Sequence, residues 1–294
     1  MITRVIFNQK GGVGKSSIAV NLASISATRG HRTLLIDLDP QCNATQYLLG
    51  ENYGIPDEFS TNQGLPNEHN PTSKNAHKDI ATFFNQLLQP NAPSPALLFA
   101  LPFGATASAS ETTELSACIR PTPFENLSLI ASSPVLGEIL HQLESKHKIL
   151  KLKEALASLG DTFDRVYIDT PPAFNFFTLS ALIASDCVIV PFDCDVFSKR
   201  ALQTLVANVV ETREDHNPNL YIQGIVVNQF DARANLPTQV VQSLLDEGYP
   251  VFSAKLSPSV LMKESHHANL PLIYLNAKHK LTEQFVALYQ EIES

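Results

Sequence analysis

The 294-residue sequence predicts an α/β protein: a doubly wound, mostly parallel sheet flanked by helices. Two observations lead there. Short, continuously apolar runs such as Thr33-Leu34-Leu35-Ile36 have the composition of strands buried on both faces of a parallel sheet. Between them lie stretches with helical apolar spacing, as at Ile18, Leu22 and Ile25. Alternation of the two kinds indicates a sheet whose ligands sit at the carboxyl ends of its strands.

The elements follow in order. Arg4-Val5-Ile6-Phe7 reads as the first strand, and Ser16 to Arg29 as a helix stopped by Gly30. Thr33 to Ile36 closes a βαβ start. Later come strand Asn126 to Ile130, helix Ile149 to Leu159, and strand Arg165 to Ile168 running into Asp169. Strand Asp186 to Val190 precedes a helix from about Lys199 to Glu214. Strand Tyr221 to Val227, helix 237–247, strand Val251 to Leu256 and a last helix from about Lys280 complete the chain.

The whole of 1–294 is expected to be a single domain carrying two long surface insertions, at about 51–78 and 89–123. Both are rich in Asn, Pro, Ser, Thr and Ala, a composition that buries little. Between them Asp79 to Leu88 is amphipathic. No internal repeat is apparent.

Composition narrows the function. No apolar run approaches the ~20 residues that cross a bilayer, and the N-terminus enters a strand without a charged leader, so the cytoplasm is expected. The four cysteines, Cys42, Cys118, Cys187 and Cys194, are too few and scattered for a disulfide framework and read as reduced packing groups. A formal charge of −8 argues against a wholly basic nucleic-acid binder and leaves room for a local basic patch.

The strongest chemical signal is Lys10-Gly11-Gly12-Val13-Gly14-Lys15-Ser16-Ser17, between the first strand and the first helix. Backbone amides of such a loop wrap a polyphosphate, and the helix N-terminus adds positive dipole. Lys15 would reach the β and γ phosphates and the Ser16 hydroxyl would ligate Mg²⁺. Gln9 stands where the strict phosphate-loop pattern has its first glycine, and Lys10 follows it. Asp37 and Asp39 point the same way at a strand's end beside this loop. A turn-forming or helix-capping role before Pro40 competes with a catalytic one at both.

The stretch Lys10 to Ser16 resembles the deviant Walker A loop of the ParA/MinD ATPases. Asp37-Leu38-Asp39-Pro40-Gln41-Cys42-Asn43-Ala44-Thr45 is similar to a segment of ParA-type partition ATPases in particular. Val166 to Pro172 resembles their Walker B region, and Asn228-Gln229-Phe230-Asp231-Ala232-Arg233 a downstream segment.

The resemblance implies site roles. Gly11, Gly12, Val13, Gly14, Lys15, Ser16 and Ser17 would bind the nucleotide, Ser17 through a more internal phosphate. Asn228 would touch the adenine, unless it caps the loop. Lys10 would act across a dimer interface on the partner's phosphates, where negative charge must be stabilised. Lys15 and Asp39 would complete the catalytic set, Asp39 positioning the attacking water. Ser16 would ligate Mg²⁺, with Asp37 and Asp169 acting through water.

The implied protein is a slow ATPase with ATP and Mg²⁺ as cofactors, a homodimer when ATP-bound, stimulated by a partner or cargo adaptor. It would associate with the nucleoid through non-specific DNA binding and position or segregate a plasmid, a chromosome or a protein cluster. Candidate DNA contacts are Arg233, Lys199, Arg200, Lys255 and Lys263, then Arg213, Lys278 and Lys280, each of which also reads as a solvated surface charge. Ser257-Pro258-Ser259-Val260-Leu261 lacks the arginines many family members carry there. Two alternatives are a membrane-recruited MinD-like regulator and a metabolic synthetase on the same core. The acidic polar face of Leu281 to Ser294 opposes the first, and no membrane anchoring is expected. No second substrate constellation favours the other.

Overall fold

A computed structural model describes residues 1–50, 78–88, 114–146, 148–194 and 198–294. Most of the two expected insertions lies outside the described residues.

Seven strands form one sheet: β1 (Ile2–Ile6), β2 (Thr33–Asp37), β3 (Ile119–Pro121), β4 (Leu127–Ile130), β5 (Arg165–Asp169), β6 (Cys187–Asp193) and β7 (Tyr221–Asn228). Their spatial order is β3-β4-β2-β5-β1-β6-β7, and every pairing is parallel except β3 with β4. The chain leaves β1 in one direction for β2 and returns to its other side for β6, which makes the sheet doubly wound.

Alternation along the strands divides the core. Val5, Phe7, Leu34, Ile36, Val166 and Ile168 point to one face, while Ile6, Leu35, Tyr167 and Ile189 point to the other. The first face is covered by α3 (Ile80–Leu88), α4 (Val135–Ser145), α5 (Lys151–Ser158), α6 (Phe176–Ala184), α7 (Ser198–Asp215) and α8 (Asn235–Asp246). The second carries α1 (Lys15–Thr28), α2 (Asn43–Leu49), α9 (Val260–Ala268), α10 (Leu272–Leu275) and α11 (Lys280–Glu293).

Helix α1 ends where Gly30, at φ 85°, turns its N–H back to the Ala27 carbonyl, as the sequence predicts. Leu281, Phe285, Leu288 and Ile292 of α11 are all buried against the sheet. Each such side chain contributes roughly 1.5–3 kcal/mol of transfer free energy. The last turn is fixed by charge: Glu293 meets the buried Arg4 at 3.0 Å and Arg165 at 2.5 Å.

Two expectations need correction. Within 89–123, the described part from Glu114 onward is not a surface insertion, because Leu115 and Cys118 are buried and β3 extends the sheet. Pro121 ends β3 at the sheet edge, where a missing N–H is tolerated. Val251 to Leu256 forms no full strand, only one bridge from Val251 to Ile225. The N–H groups of Ser253 and Ala254 turn away to the Glu291 carboxylate, and the ladder breaks there. The segment 257–261, given no element above, is the entry to a helix: Val260 and Leu261 open α9, whose N-cap Ser259 accepts from the Leu261 N–H.

Candidate functional site

The carboxyl ends of β1, β2 and β5 meet at the loop 8–14. Gly12 and Gly14 adopt φ 76° and 88°, conformations that an L side chain resists. The first bond within α1 runs from the Ile18 N–H to the Gly14 carbonyl, and no side chain caps the helix. The amides of Lys15, Ser16 and Ser17 therefore open on the loop as a nest of donors. Space lies open beside Gly11 and Gly12, where an added Cβ would meet nothing within 4 Å.

Two contacts hold this loop in shape. Asn8 accepts from the Lys10 N–H at 2.9 Å and donates to the Pro191 carbonyl at 2.6 Å, tying the loop to β6. Asn228 donates to the Val13 carbonyl at 3.0 Å, and a Cβ at Gly14 would fall 2.4 Å from the Asn228 Nδ2. Of the two readings of Asn228, loop capping is the contact present.

The two lysines diverge. Lys15 is buried, its Nζ donating to the Lys10 carbonyl at 3.0 Å. Burial lowers its pKa, against the pull of Asp169 and Asp39. Lys10 reaches the rim, where its Nζ lies 3.4 Å from Asp193 at the end of β6.

Three aspartates converge from β2 and β5, each in a different state. Asp37 is fully buried and accepts from the Asp39 N–H at 3.0 Å and from the Thr45 N–H and hydroxyl at 2.8 and 2.7 Å. Burial nevertheless pushes its pKa up to about 6, opposed by those donors. Asp39 accepts from the Gln41 N–H at 3.0 Å, the turn-forming contact; Cys42 holds the N-cap position of α2 without a capping bond, and the first-turn Thr45 N–H goes to Asp37. Burial raises its pKa too.

Asp169 is fully buried, and neither carboxylate oxygen accepts a well-aligned hydrogen bond. Its pKa is raised well above the usual range by burial and by Asp37, while the Ser16 hydroxyl and Lys15 pull it down. An orphaned, buried oxygen pair beside Ser16 has the chemistry of a site for a hard cation, so the residues fit Mg²⁺.

Residues 1–222 match the family described as an AAA domain. The chromosome partitioning protein ParA of Myxococcus xanthus is 30% identical over 291 residues, spanning 98% of this chain and 86% of its own. The chain belongs to the ParA/MinD family of P-loop ATPases. Among solved structures, apo McdA of Cyanothece superposes with a TM-score of 0.74 at 18% identity, covering 100% of both chains. The septum site-determining protein MinD of Pyrococcus horikoshii, complexed with Mg-ADP, gives 0.67 at 18%, covering 100% of this chain and 96% of its own. These two likenesses show the ParA/MinD fold.

The basic residues anticipated as DNA contacts are dispersed. Lys199 reaches Glu247 and the Ser243 hydroxyl at the C-terminal end of α8. Arg233 pairs with Asp231 at 3.0 Å before the helix begins, its side chain 91% exposed. About 20 Å of helix separates the two at 1.5 Å per residue. Lys255 lies 5.8 Å from the Phe230 ring centroid, close to the Arg233 loop. Arg200 and Lys263 are exposed.

Asn8, Thr45, Asp193 and His266 were not singled out from the sequence. Thr45 carried a signal as part of the segment beginning at Asp37. Asn8 lies in the loop itself, two residues before Lys10, while Asp193 and His266 reach Lys10 and Ser17 only through long-range contacts.

Proposed function

We propose that this chain is an ATP-dependent dimerising switch that positions or segregates a cargo, with slow, partner-stimulated hydrolysis and non-specific DNA binding in the ATP state. The observation that carries it is the division of labour between Lys15, drawn beneath the loop, and Lys10, displayed at its rim. A lysine beneath the loop serves its own nucleotide. One at the rim is placed to serve a nucleotide held by a second copy.

In this reading the amides of Gly11 to Ser16 and the Lys15 ammonium bind the β and γ phosphates of ATP. Asn228 keeps the loop open. Ser16 would hold the cation, with Asp169 and Asp37 acting on it through water. Mg²⁺, when bound, supplies charge neutralisation at the phosphates. Asp39, the least buried of the three aspartates, orients a water toward the γ phosphate. Loss of that phosphate removes the group on which Lys10 of the partner subunit bears, and the pair separates.

Membrane recruitment by α11 is disfavoured because its apolar residues are already buried. Among the described residues no helix is long and apolar enough to cross a membrane.

The test is light scattering with ATP turnover. Wild type should dimerise with MgATP and not with MgADP. Lys15→Ala should lose nucleotide binding, Lys10→Ala should bind nucleotide yet stay monomeric, and Asp39→Ala should accumulate an ATP-bound dimer. A Lys10→Ala variant that dimerises and turns over like wild type rejects the trans role.

A further inference from the structure

Ser17 does not stand alone in the first turn of α1. Its Oγ lies 3.0 Å from the His266 Nε2, contributed by α9 nearly 250 residues later. The His266 ring packs edge-on against Tyr47, with centroids 4.5 Å apart and planes at 75°. The Tyr47 hydroxyl accepts from the Asn21 Nδ2 at 3.2 Å and bonds the Ser265 Oγ at 2.5 Å. Asn21 Nδ2 also donates to the Ser17 carbonyl at 2.8 Å, and its Oδ1 accepts from the Leu272 N–H at 2.9 Å. Ser17, His266, Tyr47 and Asn21 thus form a closed circuit joining α1, α2 and α9.

We infer that His266 is a positioning residue for the nucleotide: it fixes the Ser17 hydroxyl so that its hydrogen is offered to an inner phosphate oxygen. This rests on the nucleotide reading above and assigns a role within that site. A serine hydroxyl has one hydrogen and rotates freely unless something holds it. When the imidazole carries its proton on Nε2, it donates to Ser17 Oγ and leaves the serine's own O–H free. Tyr47 fixes the ring plane, and Asn21 fixes both Tyr47 and the Ser17 backbone. His266 itself is exposed. The inner phosphates are common to ADP and ATP, so both should depend on His266 alike. Lys10, acting at the outermost phosphate, should separate them.

The experiment is calorimetric titration of the full chain with MgADP and with Mg²⁺ plus a non-hydrolysable ATP analogue. His266→Ala should weaken both by a similar factor, roughly tenfold for a hydrogen bond to a charged acceptor. His266→Gln, which keeps an N–H donor at comparable reach, should recover most of the loss. His267→Ala, a change to the exposed neighbour, should bind as wild type does. Ser17→Ala combined with His266→Ala should bind no more weakly than Ser17→Ala alone. Wild-type affinity in His266→Ala, no rescue by Gln, or additive losses in the double variant would each overturn the inference while the nucleotide reading stands. A wild-type chain that binds neither nucleotide would overturn both.

Discussion

Asp37 and Asp169 face each other in register across the β2–β5 ladder, both fully buried, with three donors on the first and only the Ser16 hydroxyl beside the second. Strands lie about 4.8 Å apart. Two ionised carboxylates at that spacing repel by about 3 kcal/mol at an effective dielectric near 20. Without a cation, the pair is a site of stored instability.

Asp169→Asn should therefore stabilise the nucleotide-free protein at pH 7.5, by up to about 3 kcal/mol, while abolishing Mg²⁺-dependent turnover. The sign follows from linkage. Burial and Asp37 hold the Asp169 pKa well above the usual range, and burial holds that of Asp37 at about 6, so the proton favours the folded state. That contribution is fully present below the unfolded pKa and disappears as pH rises through the folded one. The advantage of Asp169→Asn in thermal melts should accordingly be smallest near pH 4 and grow above pH 6. A variant no more stable than wild type at pH 7.5 would refute the repulsion.

Lys10 and Asp193 form a partly exposed pair at 3.4 Å, of a kind that contributes at most about 1 kcal/mol. A latch that weak yields readily to a phosphate. Asp193→Asn should leave the melting temperature nearly unchanged and raise dimer formation at half-saturating MgATP roughly two- to fivefold. Unchanged or reduced dimerisation in sedimentation experiments would count against the competition.

Glu293 is held by Arg4 and Arg165 at the end of α11. Glu293→Gln strands the Arg4 guanidinium, whose side chain is 3% exposed, and should cost about 2–4 kcal/mol in chemical denaturation. Burial tends to raise the Glu293 pKa, but Arg165 and Arg4 prevail and bring it below 4.5. Its stabilisation is present above that value and lost as pH falls through the lowered pKa. The gap between variant and wild type should stay constant from pH 7 to 5 and narrow below about 4.5. A gap independent of pH down to 3 would assign the effect to packing.

For DNA, binding in the ATP state should fall steeply with salt, and Arg233→Ala should flatten the log–log slope by about one. Lys199→Ala should change it less, because Lys199 is held by Glu247 and the Ser243 hydroxyl and is far less exposed than Arg233. Equal slopes for Arg233→Ala and wild type would remove Arg233 from the contact surface.

Strands β1, β2 and β4 to β7 were legible because each is an apolar run ended by polar or turn residues. Helix α6 was not, since Phe176-Phe177-Thr178-Leu179-Ser180-Ala181-Leu182-Ile183-Ala184 is apolar all round and shows no periodicity. Helix α4 was passed over with Gly137 inside it, and α9 because its Ser-Pro-Ser entry reads as a loop. Within the site, the loop and its aspartates occupy local sequence patterns with fixed spacing. Asp193 and His266 have no such pattern: they reach Lys10 and Ser17 across sequence separations of 183 and 249 residues. Only the folded chain brings them there.

The Asn228 amide, wedged where a side chain at residue 14 would otherwise stand, fixes the loop through its bond to the Val13 carbonyl. Such a socket loses little freedom on filling. On the proposed reading, exchange of spent for fresh nucleotide is governed by the contacts each makes, and the tempo of the cycle passes to whatever brings two copies together.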